Sequence, residues 1–191
     1  YGLPFAEYFP YAVTRTWHTQ LAILWIATAW LATGLYVGPL LGGREPKFQA
    51  AGVWFLLISL VVIVAGSFIG EWSAVNRLIA DATQNFWFGH QGYEFLDLGR
   101  FWQIYLFIGL LLWVVLVLRG MWPALKRPET RSLLYLVIVA TVSIGLLFGA
   151  GLFYGQNTHI TIMEYWRWWV VHLWVEGVWE LILASLLAFV L

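Results

Sequence analysis

Long apolar runs alternate with short polar segments along the whole chain, and this pattern predicts a bundle of membrane-spanning helices. Each run contains roughly 20 residues or more with few charges, the length that an α-helix needs to cross a ~30 Å hydrocarbon core. We therefore predict an all-α, polytopic membrane protein with about five spans in this segment, at residues 16–41, 49–69, 98–118, 132–154 and 164–191. The aromatic, proline-containing residues before the first span are expected to lie at the membrane interface.

One segment between the spans, residues 71–97, contains too many charged and amide side chains for a membrane helix. The loops at residues 42–48 and 119–131 carry more lysine and arginine than the opposite side, where acidic residues are interleaved with the basic ones. Because cytoplasmic loops carry an excess of Lys and Arg, we place these two loops in the cytoplasm and residues 71–97 outside.

The composition agrees with a membrane location and excludes several other classes of protein. Of the 191 residues, 62% are hydrophobic and 10% are charged, which is more apolar surface than a soluble domain of this size can bury. The net charge is zero, so nothing indicates nucleic-acid binding. The chain has no cysteine, which excludes disulfides and C-x-x-C-H haem attachment within it. It ends inside an apolar run at Leu191, so we expect a fragment of one transmembrane catalytic domain.

Ionisable residues inside the last span define the main candidate site. His172, Glu176 and Glu180 are spaced by four in a segment that is otherwise apolar and rich in tryptophan. Four residues advance about 40° around an α-helix, so the three side chains are predicted to form one slanting polar stripe. A charged residue near the bilayer centre costs roughly 2.5–3.5 kcal/mol, and such residues normally face a protein interior and mark a functional path.

The spacing of His172 and Glu176 is suitable for half of a metal site. It places an imidazole nitrogen and a carboxylate oxygen about one helical turn apart. Imidazole suits first-row transition metals, and a carboxylate ligand favours iron over copper. The alternative is a buried His–Glu hydrogen bond that only holds two helices together.

The sequence WWVVHLWVEGVWE, at Trp168–Glu180, resembles the signature of the nitric oxide reductase large subunit, a branch of the haem–copper oxidase superfamily. Oxidases of this superfamily carry a tyrosine four residues after the histidine, where this chain has Glu176. The resemblance implies a helical bundle of the same kind. It also implies that His172 and Glu176 bind a non-haem iron facing a high-spin haem, haem b3, and that Glu180 tunes charge or relays protons.

A second stretch, RTWHTQ at residues 15–20, resembles the quinol-dependent branch of the same family. This resemblance implies that His18 is one axial ligand of a low-spin haem b, with the second ligand beyond Leu191. The alternative is a histidine that only lies at the membrane interface.

Glu94 and Asp97 are spaced by three at the start of the third span, so they share a helix face. Such a pair is suited to binding a hard cation. The resemblance implies a calcium ion near the haem propionates, with Glu94 as the better candidate ligand and Asp97 in support. Alternatively, the two carboxylates only stabilise a helix N-terminus, where negative charge is favoured.

The resemblance implies an enzyme of denitrification in the cytoplasmic (inner) membrane of a bacterium or archaeon. The reaction would reduce two nitric oxide molecules to nitrous oxide and water, with electrons from quinol through the low-spin haem b. The GVWE end of the signature is more similar to the cytochrome-c-dependent branch, so a cytochrome c subunit is the alternative electron donor. Two other functions stay open: a haem–copper oxygen reductase, against which Glu176 argues, and a non-redox membrane transporter or scaffold.

Overall fold

The computed structural model describes residue 2, residues 4–91 and residues 97–190, and these residues are almost entirely helical. The α-helices are α1 (Phe5–Tyr8), α2 (Tyr11–Gly42), α3 (Gln49–Val75), α4 (Ala82–Phe88), α5 (Arg100–Met121), α6 (Arg131–Leu147), α7 (Ile160–Trp168) and α8 (Trp179–Val190). Short 3-10 turns occur at Trp122–Lys126, Pro128–Thr130 and Phe148–Leu152, and a π-helical stretch at Trp169–Val178 joins α7 to α8. The described residues contain no strand.

Within the described residues, five helical segments are long and apolar enough to cross a membrane. They are Tyr11–Gly42, Gln49–Val75, Arg100–Lys126, Arg131–Leu152 and Ile160–Ala188. The chain is therefore a multi-pass membrane protein, and the predicted all-α, polytopic fold is confirmed.

Several helices extend beyond the predicted spans. Helix α2 begins at Tyr11, and α3 continues to Val75, so that Glu71 lies inside a hydrophobic helix. Within the segment predicted to face outward, Ala82–Phe88 forms α4. The predicted second span ends too early because the first acidic residue resembles the start of a polar loop.

The last membrane segment differs from the uniform α-helix that the sequence predicts. Its middle part, Trp169–Val178, has π-helical winding, in which N–H groups bond to carbonyl groups five residues earlier. In an α-helix, residues five apart point about 140° away from each other, whereas π-helical winding returns them to one face. Trp174 and Trp179 have this spacing; both are buried, and their ring centroids lie 5.4 Å apart. Burial of this tryptophan pair on one face is the physical reason for the wider winding.

The chain divides into two compact units. The first unit contains Tyr1–Thr28 and Ile58–Leu106, and the second contains Ala29–Leu57 and Phe107–Leu191. Helices α2, α3 and α5 each contribute part of their length to both units.

Aromatic rings pack the helices of the first unit together. Trp17 of α2 stacks on Phe68 of α3, with ring centroids 5.1 Å apart. The indole of Trp102 lies directly on Gly66, where the Cβ of any larger residue would clash with the ring. Its Nε1–H donates a hydrogen bond to the carbonyl oxygen of Phe88 at 3.2 Å. These contacts attach α4 and the start of α5 to α3.

Small residues let α2 and α5 approach closely in the second unit. Gly34, Gly38 and Gly42 recur every four residues on α2. The indole of Trp113 packs over Gly34, and the Gly120 backbone lies against both Gly38 and Gly42. Such spacing of small residues is a common means of close helix packing in membranes, where apolar side chains gain little by avoiding lipid.

Candidate metal and haem sites

His172 and Glu176 lie side by side on the π-helical stretch. The imidazole Nδ1 is 3.0 Å from the carboxylate Oε2, and the two side chains are 43% and 62% exposed. The pair therefore belongs to one helix and lies at the surface of the second unit. This arrangement differs from a buried hydrogen bond between two helices.

The separation of the two atoms matches that of two ligand atoms on one metal ion. Imidazole and carboxylate ligands bind a transition metal at about 2.1 Å, taking zinc as a guide. Two such atoms at a right angle around the metal are about 3.0 Å apart, and at a tetrahedral angle about 3.4 Å apart. The observed 3.0 Å between His172 and Glu176 thus requires no rearrangement for both groups to hold one ion. A hydrogen bond of the same length holds the two groups together without a metal.

Trp168 supports the imidazole from the side. Its ring stacks on that of His172, with centroids 4.8 Å apart and planes 18° from parallel. The indole face and the Glu176 carboxylate together limit rotation of the imidazole. A ligand whose orientation is fixed in advance binds a metal with a smaller loss of conformational entropy.

The opposite side of the same stretch is anchored in the second unit. Trp174 is buried, and its Nε1–H donates to the carbonyl oxygen of Ile144 on α6 at 2.7 Å. The ring of Trp179 contacts that of Trp30 on α2, with centroids 5.4 Å apart. These contacts bind the π-helical stretch to two neighbouring helices and so hold His172 on the exposed side.

The pair supplies two ligands of a metal site, not a complete set. Among the described residues, no group of three or more His, Cys, Asp or Glu side chains is arranged to hold a metal ion. Catalytic metal sites in proteins commonly have three protein ligands and an open position. A complete site built on His172 and Glu176 therefore requires ligands in addition to these two.

Glu180 lies in the first turn of α8, just after the π-helical stretch, and its side chain is exposed. The predicted slanting stripe joins it to His172 by an advance of about 40° for every four residues. That advance is wrong for this segment, because the π-helical stretch lies between the two residues. The direction of Glu180 relative to His172 depends on the wider winding.

His18 lies on α2 in the first unit, and its side chain is exposed. Its neighbours face the other way: Trp17 stacks on Phe68, and the Gln20 Nε2–H donates to Oε1 of Glu71 at 2.5 Å. An exposed imidazole on an otherwise apolar helix is suited to an axial haem ligand. The haem-ligand role of His18 stays a prediction.

Glu71 is a polar residue that is absent from the sites predicted from the sequence. Its side chain is fully buried in α3, and Oε1 accepts the hydrogen bond from Gln20. Asp97 is half-buried and close enough for the two carboxyl groups to repel each other. An acidic residue within an apolar helix is a functional-site indication, and the premature end of the predicted second span concealed this one.

The predicted calcium site is only partly covered by the structure. Glu94 lies outside the described residues, and Asp97 is placed beside Glu71 in the first unit. Calcium requires six to eight oxygen ligands, so binding by Glu94 with Asp97 in support stays a prediction.

His90, in the segment between α4 and α5, is half-buried. Its backbone N–H donates to the Asn85 Oδ1 at 3.1 Å. Burial lowers the pKa of the His90 imidazole below its usual value, because it disfavours the charged form.

A bundle of membrane-spanning helices with a His–Glu pair on its last span defines a class of multi-pass membrane proteins. The chain belongs to the cytochrome c and quinol oxidase polypeptide I family, whose family model matches residues 3–191. It is also similar to a nitric oxide reductase polypeptide of Stutzerimonas stutzeri, with 30% identity over 185 residues. That alignment covers 95% of this chain and 37% of the relative, so the chain spans little more than a third of the relative's length. The predicted resemblance to the nitric oxide reductase large subunit is confirmed.

Proposed function

We propose that the protein is a membrane nitric oxide reductase. The reaction converts two NO molecules, two electrons and two protons into one N₂O and one water. Its metal centre would combine a high-spin haem b3 with a non-haem iron. Electrons would come from quinol through a low-spin haem b, and a cytochrome c subunit is the alternative donor.

The observation that carries this proposal is the His172–Glu176 pair. The two ligand atoms are 3.0 Å apart on one helix, at the separation that one metal ion requires. A nitrogen and a carboxylate oxygen form a harder donor set than imidazoles alone, and this favours iron over copper. The similarity to the nitric oxide reductase of Stutzerimonas stutzeri agrees with the same assignment.

Each residue of the stretch has a separate role in this proposal. His172 and Glu176 would hold the iron, and Trp168 would keep the imidazole in its binding plane. Glu180, exposed in the next turn, would tune the charge of the site or pass protons to it. When bound, the haems and the iron supply the electrons that nitric oxide takes up. The protein supplies orientation, charge and protons.

His18 would hold the low-spin haem b as one axial ligand. The imidazole is exposed on α2, so a haem can reach it without displacing the Trp17 and Gln20 contacts. We place the enzyme in the cytoplasmic (inner) membrane of a bacterium or archaeon, with a role in denitrification.

A haem–copper oxygen reductase is the second candidate, because the family description names oxidases of cytochrome c and quinol. Glu176 argues against it, since the tyrosine of the oxidase signature is replaced by a carboxylate.

The test uses the whole protein purified from its membrane. Metal content, haem spectra and the consumption of NO and O₂ are measured with a reduced quinol and, separately, with reduced cytochrome c. Iron beyond that of the haems, together with NO consumption, supports the proposal. Copper with O₂ consumption would establish the oxidase instead, and a protein without haem absorbance would be a transporter or scaffold.

A further inference from the structure

A cavity of about 570 Å³ lies in the second unit, between the end of α2 and the start of α3. Its apolar walls are built by Leu35, Leu40 and Val53, and two aromatic rings, Tyr36 and Trp54, line it as well. Tyr36, Leu40 and Trp54 are 71%, 63% and 64% exposed, so the cavity is open along its side rather than enclosed. None of these residues belongs to the proposed metal or haem sites.

The end of the cavity nearest the α2–α3 connection is polar and basic. Arg44 lines it directly, together with Gln49 and Glu45. Gln49 is 4% exposed, and its Oε1 accepts a hydrogen bond from the Arg119 Nη2 at 3.0 Å. The buried amide therefore attaches a second arginine to the wall of the cavity.

A third arginine approaches the same end through Gly43, another lining residue. A Cβ at Gly43 would lie 3.5 Å from the Arg127 Nη2, so that guanidinium rests against the cavity rim. Three arginines thus surround an end that contains one carboxylate, Glu45. This excess of positive charge is complementary to an anion, and guanidinium groups bind phosphate oxygens well.

The position of the cavity adds a second requirement to the ligand. The two aromatic residues and the connection between α2 and α3 are features of a membrane–water interface, where Tyr and Trp side chains concentrate. A free phosphate ion would use only the basic end and leave the apolar walls without a partner. A ligand with a phosphate and a hydrocarbon chain satisfies both parts.

We propose that this cavity binds one anionic phospholipid, with its phosphate at Arg44 and an acyl chain along Leu40 and Val53. Basic pockets between membrane helices are known to hold anionic lipid headgroups. The lipid would fill the space between α2 and α3 and stabilise the α2–α3 connection against motion.

The test compares lipid binding to the purified, delipidated whole protein and its variants. Native mass spectrometry and thermal unfolding are followed while phosphatidylglycerol, phosphatidylcholine or inorganic phosphate is added. We expect one phosphatidylglycerol to bind per chain and to raise the unfolding temperature more than phosphatidylcholine does. Arg44→Gln should weaken this binding about fivefold, the effect of about 1 kcal/mol for one basic residue near an anionic lipid.

Two further variants separate the cavity from general basicity. Lys47→Gln removes the same charge from the same connection but does not line the cavity, so it should leave binding within about twofold of the parent. Ala50→Trp keeps every charge and fills the space between the helices, so it should abolish the bound phosphatidylglycerol. Equal loss in Arg44→Gln and Lys47→Gln, full binding in Ala50→Trp, or displacement by inorganic phosphate alone would each overturn the proposal.

Discussion

The Nδ1 atom of His172 lies 3.0 Å from the Oε2 atom of Glu176 on a π-helical stretch whose other side is buried. This relationship brings together two groups that a membrane helix rarely carries and exposes them on the same side. Trp168 holds the imidazole plane, and Trp174 fixes the stretch to α6. The helix thus presents a prepared pair of ligand atoms, and the first prediction tests whether both are used.

Glu176→Ala is expected to lose the non-haem iron. Changes behind the ligands already cost about 10–100-fold in metal affinity, so loss of a direct ligand should cost at least as much. Glu176→Asp keeps the charge but shortens the reach by one methylene, and should also lose iron. Iron per protein is measured with NO consumption. Glu180→Ala is the matched control, expected to keep iron and turn over more slowly; iron loss there with full iron in Glu176→Ala would exchange the two roles.

His18→Ala should remove the low-spin haem b and leave the high-spin haem. A haem with two imidazole ligands leaves the low-spin state when one of them is removed. Reduced-minus-oxidised absorption and electron paramagnetic resonance spectra distinguish the two haems. His159→Asn, which changes an exposed histidine at the start of α7, is the control. An unchanged low-spin signal in His18→Ala would restrict that residue to an interfacial role.

Glu71→Ala should destabilise the protein by about 1–3 kcal/mol, because it leaves the Gln20 amide without its buried acceptor. Glu71→Gln keeps an acceptor oxygen at the same place and should cost less. The free energy or midpoint of unfolding in detergent is compared with that of Glu164→Ala. That control removes an exposed ion pair with Arg167, which contributes about 1 kcal/mol or less. Equal effects of Glu71→Ala and Glu164→Ala would contradict a structural role for the buried carboxyl.

The membrane orientation is testable because the chain contains no cysteine. Gln84 is exposed on α4, and Glu129 is exposed in the turn before α6. A single cysteine at Gln84 should react with an impermeant thiol reagent added outside intact cells, and one at Glu129 should not. After membrane permeabilisation both should react, which controls for accessibility. The reverse pattern would invert the orientation predicted from Lys and Arg.

Acid is expected to destabilise the protein through His90. Burial lowers the folded-state pKa, so between the usual value of about 6.5 and that lower pKa the unfolded chain binds more protons. Stability should therefore fall as the pH drops below about 6.5 and level off below the folded pKa. His90→Gln should reduce this slope in thermal unfolding measured from pH 7.5 to 5, whereas His159→Gln should not. An identical slope in the parent and His90→Gln would assign the pH dependence to other groups.

Much of the architecture follows from the sequence alone. A hydrophobic helix must be long enough to cross the hydrocarbon core and must satisfy its own backbone hydrogen bonds, so length and apolar content suffice to predict five helical spans. The pairing of His172 with Glu176 also follows from local spacing, because residues four apart on a helix are neighbours.

Tertiary packing decided what local spacing does not specify. Trp174 and Trp179 bury on one face and impose π-helical winding, so the regular α-helical stripe through Glu180 does not form. Glu71 lies inside α3 because a partner on α2, Gln20, satisfies its carboxyl. Such a partner is 51 residues away in the chain, and only the folded arrangement of the helices makes a buried acid acceptable there.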